Sequence, residues 1–442
     1  MSKSGRSGLA IAANYLVWLQ PVLVVILYAA LILGSFPIIL LIWALFLASL
    51  APVFVLNGRK ALRTPFDLPV LLFALGLAIG YFLSPNKSIS LITLQSYFLC
   101  FLIYYAIVSN GFRLSWYWLW IVAIMGISFS VLTVLTLVQA ANGMKIYPHN
   151  AWLYQAAGSL PFRLNYPITV NALGSMLGMS APGLITYALY SDNRLLKRIA
   201  LVFGLISVAM VALVCSTSGL VAIAGGLACL LFLWRRWTLA VTVPAAAILL
   251  LITASGWLTV PNGLSWLVPH DPLMGRIVIW QGTMQTLQGH WLFGLGPGLW
   301  FSVYNFMKTG WMIPHPHNDI FQTISDAGIL GVAAFIVAVV VLIRLIGQTR
   351  KVGRGRGHWY ALAMAAGISL IANTINGIWE TATIGLMTTG LAGGLIEQYR
   401  CLAIPFAWCM LGLLVIAWSR LKTSPPGADE TTPEGNSQER RV

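Results

Sequence analysis

The feature that most constrains this chain is a repeated apolar run. Stretches of about twenty apolar residues recur along nearly its whole length, and a helix needs about twenty to cross the hydrocarbon core of a bilayer. They lie near residues 10–33, 36–56, 67–83, 89–108, 116–139, 168–190, 199–215, 219–234, 238–257, 319–346, 359–377 and 382–399. A further run, 402–419, is either an extra span or the replacement for a re-entrant 382–399. Only 8% of the 442 residues are charged and 59% are hydrophobic, whereas soluble domains carry about 25% charged residues. A water-soluble chain cannot spare that much polar surface. A cytosolic enzyme, a secreted disulfide scaffold and a disordered chain are thereby excluded. The expected fold is all-α: a polytopic membrane protein of about 12 transmembrane helices.

The breaks between runs carry the charge and set the orientation. The formal net charge of +15 suggests nucleic acid in a soluble protein. Here the basic residues cluster in every second loop: Arg59, Lys60 and Arg63; Arg113; Arg194, Lys197 and Arg198; Arg235 and Arg236; Arg350, Lys351, Arg354 and Arg356. Such clusters mark cytoplasmic loops, and the N-terminus falls on the same side. No long basic stretch is interleaved with aromatics, so no nucleic acid is expected as a partner. Lys3 and Arg6 precede the first run, which no small-residue cleavage site follows, so it reads as a retained span. Cys100, Cys215, Cys229, Cys401 and Cys409 all sit in apolar runs without metal-ligand spacing. Residues 423–442 are polar and rich in Pro and Gly, as in a disordered tail. One transmembrane unit, 1–422, is left, with two long outer loops at 140–167 and 258–318. Long structured loops usually carry function.

Charges that break the topological pattern point to chemistry. Arg163 and Arg276 lie in the two long outer loops, and Lys87 in a shorter one. The planar guanidinium fork grips phosphate or carboxylate in a bidentate way. Residues 276–289 show Ile277, Trp280, Met284 and Leu287 at near-helical spacing, as in an interfacial helix. Gly294, Gly296, Pro297 and Gly298 follow as a tight turn. No strand precedes them, so they are no dinucleotide fingerprint. His315 and His317 stand just before a span whose N-cap is Asn318 or Asp319. A neutral imidazole beside a positive helix end is a natural general base. Asp319, Gln322 and Asp326 form a polar stripe on that span, and Asn373, Asn376 and Glu380 form another. Polar groups inside a membrane face a cavity or the bundle interior. A metal held by His315 and His317 with Asp271 or Asp319 is the weaker reading, since no HExxH or cysteine partner supports it.

The segments GRIVIWQGTMQTLQGHWLFGLGPG (275–298) and PHPHNDIFQTISDAGILGVAAF (314–335) resemble the paired signature of the O-antigen ligase and O-antigen polymerase superfamily, over about 60 residues. The resemblance implies a GT-C-like glycosyltransferase of the bacterial inner membrane, acting on the periplasmic side without cofactor or metal. Its partners would be an undecaprenyl diphosphate-linked glycan, a lipid A–core acceptor and membrane lipids. Carried over, Arg276 falls on the arginine that holds the lipid diphosphate, His317 on the catalytic histidine, and Arg163 on a less regular arginine of the first outer loop. Catalysis would then rest on His317, Arg276 and Arg163. His315, Asn318, Gln322, Asp326, Glu380 and Lys87 would bind substrate or orient the histidine. Two departures stand out. Many members carry Ser-Arg-Gly where this chain reads Cys215-Ser216-Thr217-Ser218-Gly219, and the acid after the glutamine is usually Glu rather than Asp326. Rival readings are an O-antigen or exopolysaccharide polymerase, a protein O-oligosaccharyltransferase and, in a different class, a lipid or solute transporter. The oligomeric state is open.

Overall fold

Apolar side chains gain little by leaving lipid for a neighbouring helix, so helices in a bilayer associate where small residues let their backbones approach. This chain supplies such residues at helical spacing. The computed structural model describes residues 63–109, 170–242, 273–307, 315–352, 357–380, 387–400 and 403–423, apart from short gaps within them and a few single residues elsewhere. Its helices are α1 (Asp67–Leu83), α2 (Lys87–Ser109), α3 (Val170–Tyr190), α4 (Arg194–Leu213), α5 (Thr217–Leu233), α6 (Leu273–Thr286), α7 (Trp300–Met307), α8 (Asp319–Val352), α9 (Gly357–Trp379) and α10 (Ala403–Thr423). On α3, Gly174 and Gly178 lie against Ser216 and Gly219 at the start of α5. A Cβ at Gly178 would come within 2.7 Å of the Gly219 carbonyl oxygen. Further along the same pair, Gly226 meets Pro182. Helix α9 sits centrally and packs on α3, α5, α8 and α10, while α1 packs on α8.

Helix α8 is two helices in line. Gly328 has φ 60° and ψ −153°, which breaks the ladder after residue 327. Every acidic residue of α8 lies before the break, and the stretch after it is apolar until Arg344. The Gly294–Gly298 turn plugs the break. Leu295 and Gly296 donate their N–H groups to the Ser325 carbonyl (2.7 and 3.2 Å), and Ile329 donates to the Leu292 carbonyl (3.2 Å). Three of the turn's glycines have positive φ, and a Cβ at Gly294 would stand 2.6 Å from the Ser325 oxygen. The sequence's loop-packing turn is therefore a backbone plug for a broken helix.

Among the described residues, four helices are long and apolar enough to cross a membrane: Lys87–Ser109, Arg194–Ala212, Asp319–Val352 and Gly357–Trp379. The expected runs 67–83, 168–190 and 219–234 are also helical, as is 402–419 within α10. The runs 10–33, 36–56 and 116–139, apart from a few single positions, and 243–257 of the run 238–257 lie outside the described residues. So do nearly all of loop 140–167 and the tail beyond Thr423. The run 382–399 needs correcting. It contains a two-stranded antiparallel hairpin, β1 (Met387–Ala392) and β2 (Leu395–Arg400), with Ala392 opposite Leu395. Gly393-Gly394 between the strands is the dipeptide that two-residue hairpin turns favour. Thr388, Thr389 and Gly390 weaken helix there.

Helices α8 and α9 run oppositely, so Asp319 and Trp379 share one end of the bundle. Arg350, Arg235 and Tyr190 share the other.

Candidate active site

At the Asp319–Trp379 end, three parts of the chain bring ionisable groups together. The first is α6. Its buried face is Arg276, Thr283 and Thr286, continued by Leu287 just past its end, and the arginine is only 2% exposed. Of the apolar stripe expected at the membrane interface, Leu287 is buried and Met284 is 47% exposed. The Arg276 guanidinium stacks on the Trp379 ring at 4.9 Å and its Nη2 lies 3.4 Å from Glu380 Oε2. Trp280, one turn on, meets Trp379 edge-on at 6.5 Å.

The second part is the turn before α8. Asn318 is the N-cap: its Oδ1 accepts from the N–H groups of Ile320 (2.9 Å) and Phe321 (3.2 Å), as capping asparagines do. Its Nδ2 donates to the Ile378 carbonyl at 2.9 Å, tying the turn to the end of α9. Trp280 Nε1 donates to the Pro316 carbonyl at 3.1 Å. His317 is left-handed, with φ 51°, a region a few non-glycine residues adopt and histidine more often than most. The backbone thus turns both imidazoles to one side, with ring centroids 4.2 Å apart.

The third part is Glu380, the residue after α9. Its Oε1 lies 2.7 Å from His317 Nδ1 and 3.3 Å from His315 Nε2. A carboxylate at a helix C-terminus opposes the helix dipole, so it needs cations. Burial pushes its pKa up, but the imidazoles of His317 and His315, the hydrogen bond from His317 and the Arg276 guanidinium outweigh that. Together they hold Glu380 well below the usual carboxylate range. His315 goes the other way. Burial and neighbouring His317 push its pKa down to about 3, Glu380 opposes them, and Arg276 adds to the fall. Geometry agrees, since His315 Nδ1 accepts from the His317 backbone N–H at 3.3 Å and has no room for a proton. Neutral His315 leaves Arg276 and the His317 bond to keep Glu380 ionised.

The network assigns the tautomers. An ionised Glu380 can only accept, so His317 Nδ1 carries the hydrogen, and in the neutral imidazole Nε2 holds the lone pair. His317 is 18% exposed and so remains reachable, whereas Glu380 and Arg276 are buried.

His315, His317 and Glu380 offer ligand atoms within 4.8 Å of one another, a spacing that a metal ion could use. The carboxylate that joins the two imidazoles is Glu380, one of the residues expected to bind substrate or orient the histidine, and not the Asp319 offered with Asp271 in the metal reading. Asp319 packs on Gly377 instead. Arg276 already lies against the other oxygen of Glu380, which works against a second cation there.

The remaining predicted residues go elsewhere. Asp326 accepts from Tyr97 Oη (2.5 Å), Gln322 Nε2 (2.8 Å) and the Gly298 N–H (2.9 Å). Asp326 and Gln322 therefore clamp the plug and α2 to α8, and neither is bonded to a histidine. Lys87 donates to the carbonyls of Tyr81 (2.7 Å) and Phe82 (2.5 Å), capping the C-terminus of α1. Arg163 and Asp271 lie outside the described residues. Trp379 and Tyr97 were missed from sequence. Single aromatic residues in apolar runs carry no signal of their own, though Trp379 directly precedes the flagged Glu380.

Residues 202–336 match the family model described as O-antigen ligase. That segment is of the O-antigen ligase family. It runs from α4 to the middle of α8, taking in Arg276, His315, His317, Asn318 and the glycine plug. Glu380 lies 44 residues beyond its end (380 − 336). Four helices long and apolar enough to cross a membrane thus accompany a segment of the ligase and polymerase type. No curated protein matches it.

Proposed function

We propose that the chain is an O-antigen ligase. It moves polysaccharide from undecaprenyl diphosphate to a sugar hydroxyl of lipid A–core at the periplasmic face of the inner membrane. Residues 1–422 act as one transferase unit, with loops 140–167 and 258–318 on the periplasmic side. The observation that carries this reading is the meeting of His317 and Arg276 on the single carboxylate of Glu380.

The donor brings its own leaving group, a lipid diphosphate, so no nucleotide is needed. His317 Nε2 takes the proton from the acceptor hydroxyl as that oxygen attacks C1. The imidazolium that forms is stabilised across the Nδ1–Glu380 bond. Arg276, with Arg163 from the first outer loop, stabilises the charge that grows on the diphosphate as the C1–O bond breaks. Direct displacement inverts the configuration at C1. Arginines supply the positive charge, so transfer proceeds with a chelator present. Glu380 holds the base in its tautomer and gives Arg276 a fixed seat against Trp379. Asn318 ties the histidine turn to α9.

The polymerase reading makes the same bond with a growing glycan as acceptor. The lipopolysaccharide of a deletion strain separates the two. Loss of all O-antigen from lipid A–core, with long lipid-linked chains accumulating, supports the ligase. A core bearing single repeat units would assign the chain to polymerisation.

A further inference from the structure

The end of the bundle opposite the histidines holds a cavity that the transfer reaction does not use. It has a volume of about 340 Å³ and is lined by Tyr190, Leu233, Trp234, Arg235, Arg350, Tyr360 and Met364. Its wall is aromatic: Tyr190 packs edge-on against Tyr360 at 5.3 Å and against Trp234 at 6.2 Å. Two arginines stand at it, and among the described residues neither forms an ion pair with a carboxylate.

Two observations point to an anionic oxygen as occupant. Trp234 Nε1 is buried and has no hydrogen-bond acceptor among the described residues. An indole N–H can only donate, so whatever meets it must present a lone pair. Arg235 has φ 58° in a helix-ending turn. Its N–H bonds to the Phe232 carbonyl at 3.0 Å, and that of Arg236 to the Leu231 carbonyl at 2.9 Å. Glycine is the usual residue at that left-handed position, so the turn itself gives no reason for an arginine. Beside the cavity along the chain, Phe232 (47%), Trp237 (55%) and Val241 (67%) are exposed, an apolar flank of the kind that acyl chains cover.

We propose that this cavity binds the phosphate of an acidic phospholipid. Arg235, Arg350 and the Trp234 N–H hold the headgroup, and the acyl chains lie along Phe232 and Trp237. Basic pockets between membrane helices bind such headgroups. The site is independent of the proposed transfer chemistry.

The test uses the full chain, purified in detergent and titrated with phosphatidylglycerol or phosphatidylcholine while its thermal midpoint is followed. Phosphatidylglycerol should raise the midpoint and phosphatidylcholine should not. In Arg235→Gly/Arg350→Gln the apparent affinity for phosphatidylglycerol should fall about thirtyfold. Glycine suits the left-handed turn, so the lipid-free midpoint of that variant should stay near the parent's. Trp234→Phe, which keeps the ring without the N–H, should weaken binding less. Lys197→Gln/Arg198→Gln, outside the cavity, should retain the response. An equal response to both lipids, or its persistence in the double arginine variant, would overturn the proposal. So would its loss in the lysine–arginine control, which would make it general surface charge. Millimolar inorganic phosphate reproducing the whole shift would also overturn it, in favour of a free-anion site.

Discussion

Glu380 is the residue on which the account turns. It contacts both the imidazole proposed as the base and the arginine proposed to stabilise the leaving group. His317→Ala should lower kcat about a hundred- to ten-thousandfold, the usual contribution of a positioned base. Glu380→Ala leaves Nε2 in place but frees the ring, and should cost about a hundredfold in kcat with little change in KM. His315 gives a stability prediction. Its pKa of about 3 lies below the unfolded value of about 6.5, so the unfolded chain binds the extra proton. Stability from this group is full above about pH 6.5 and falls as the pH drops towards 3. Thermal midpoints measured over that range should decline, and His315→Asn should flatten the decline. The sequence made the histidines and Arg276 legible because each breaks an apolar pattern. It did not show that Asp326 and Lys87 serve the fold, because a polar stripe looks the same whether it faces substrate or a neighbouring helix.

The element that organises the site is broken helix α8. Its polar first turns, the Gly294–Gly298 plug and Asp326 form one interlocked joint, and the histidine turn begins where that joint ends. Gly328→Ala would place a Cβ 2.2 Å from the Leu292 carbonyl at φ 60°. It should destabilise the protein by at least about 2 kcal/mol, read as a lower thermal midpoint. Asp326→Asn puts an amide where the carboxylate accepts three donors and should cost about 1–3 kcal/mol. Hydropathy found the long helices among the described residues, since their length and apolarity stand out in the sequence. It could not find the kink, because Gly328 looks like any other glycine in a span until Leu292 is known to lie against it. The 382–399 run misled for a related reason: it is apolar enough for a span, but its Gly393-Gly394 pair suits a hairpin.

At the scale of the whole molecule, the bundle separates two chemistries. His315, His317, Glu380 and Arg276 occupy one end, and Arg235, Arg236, Arg350 and Lys351 the other. Basic loops stay in the cytoplasm, so the histidine end should face the periplasm. In a cysteine-free background, a membrane-impermeant maleimide applied to intact spheroplasts should label Gln285→Cys and spare Arg236→Cys. The reverse pattern would turn the protein over and remove its lipid-linked donor from the site. The most direct test is transfer by purified, reconstituted protein, given lipid-linked glycan and lipid A–core in the presence of a chelator. The parent should move glycan onto the core, while Arg276→Ala and His317→Ala should each lose at least about a hundredfold in rate. Near-normal transfer by His317→Ala, or activity abolished by the chelator, would contradict the account.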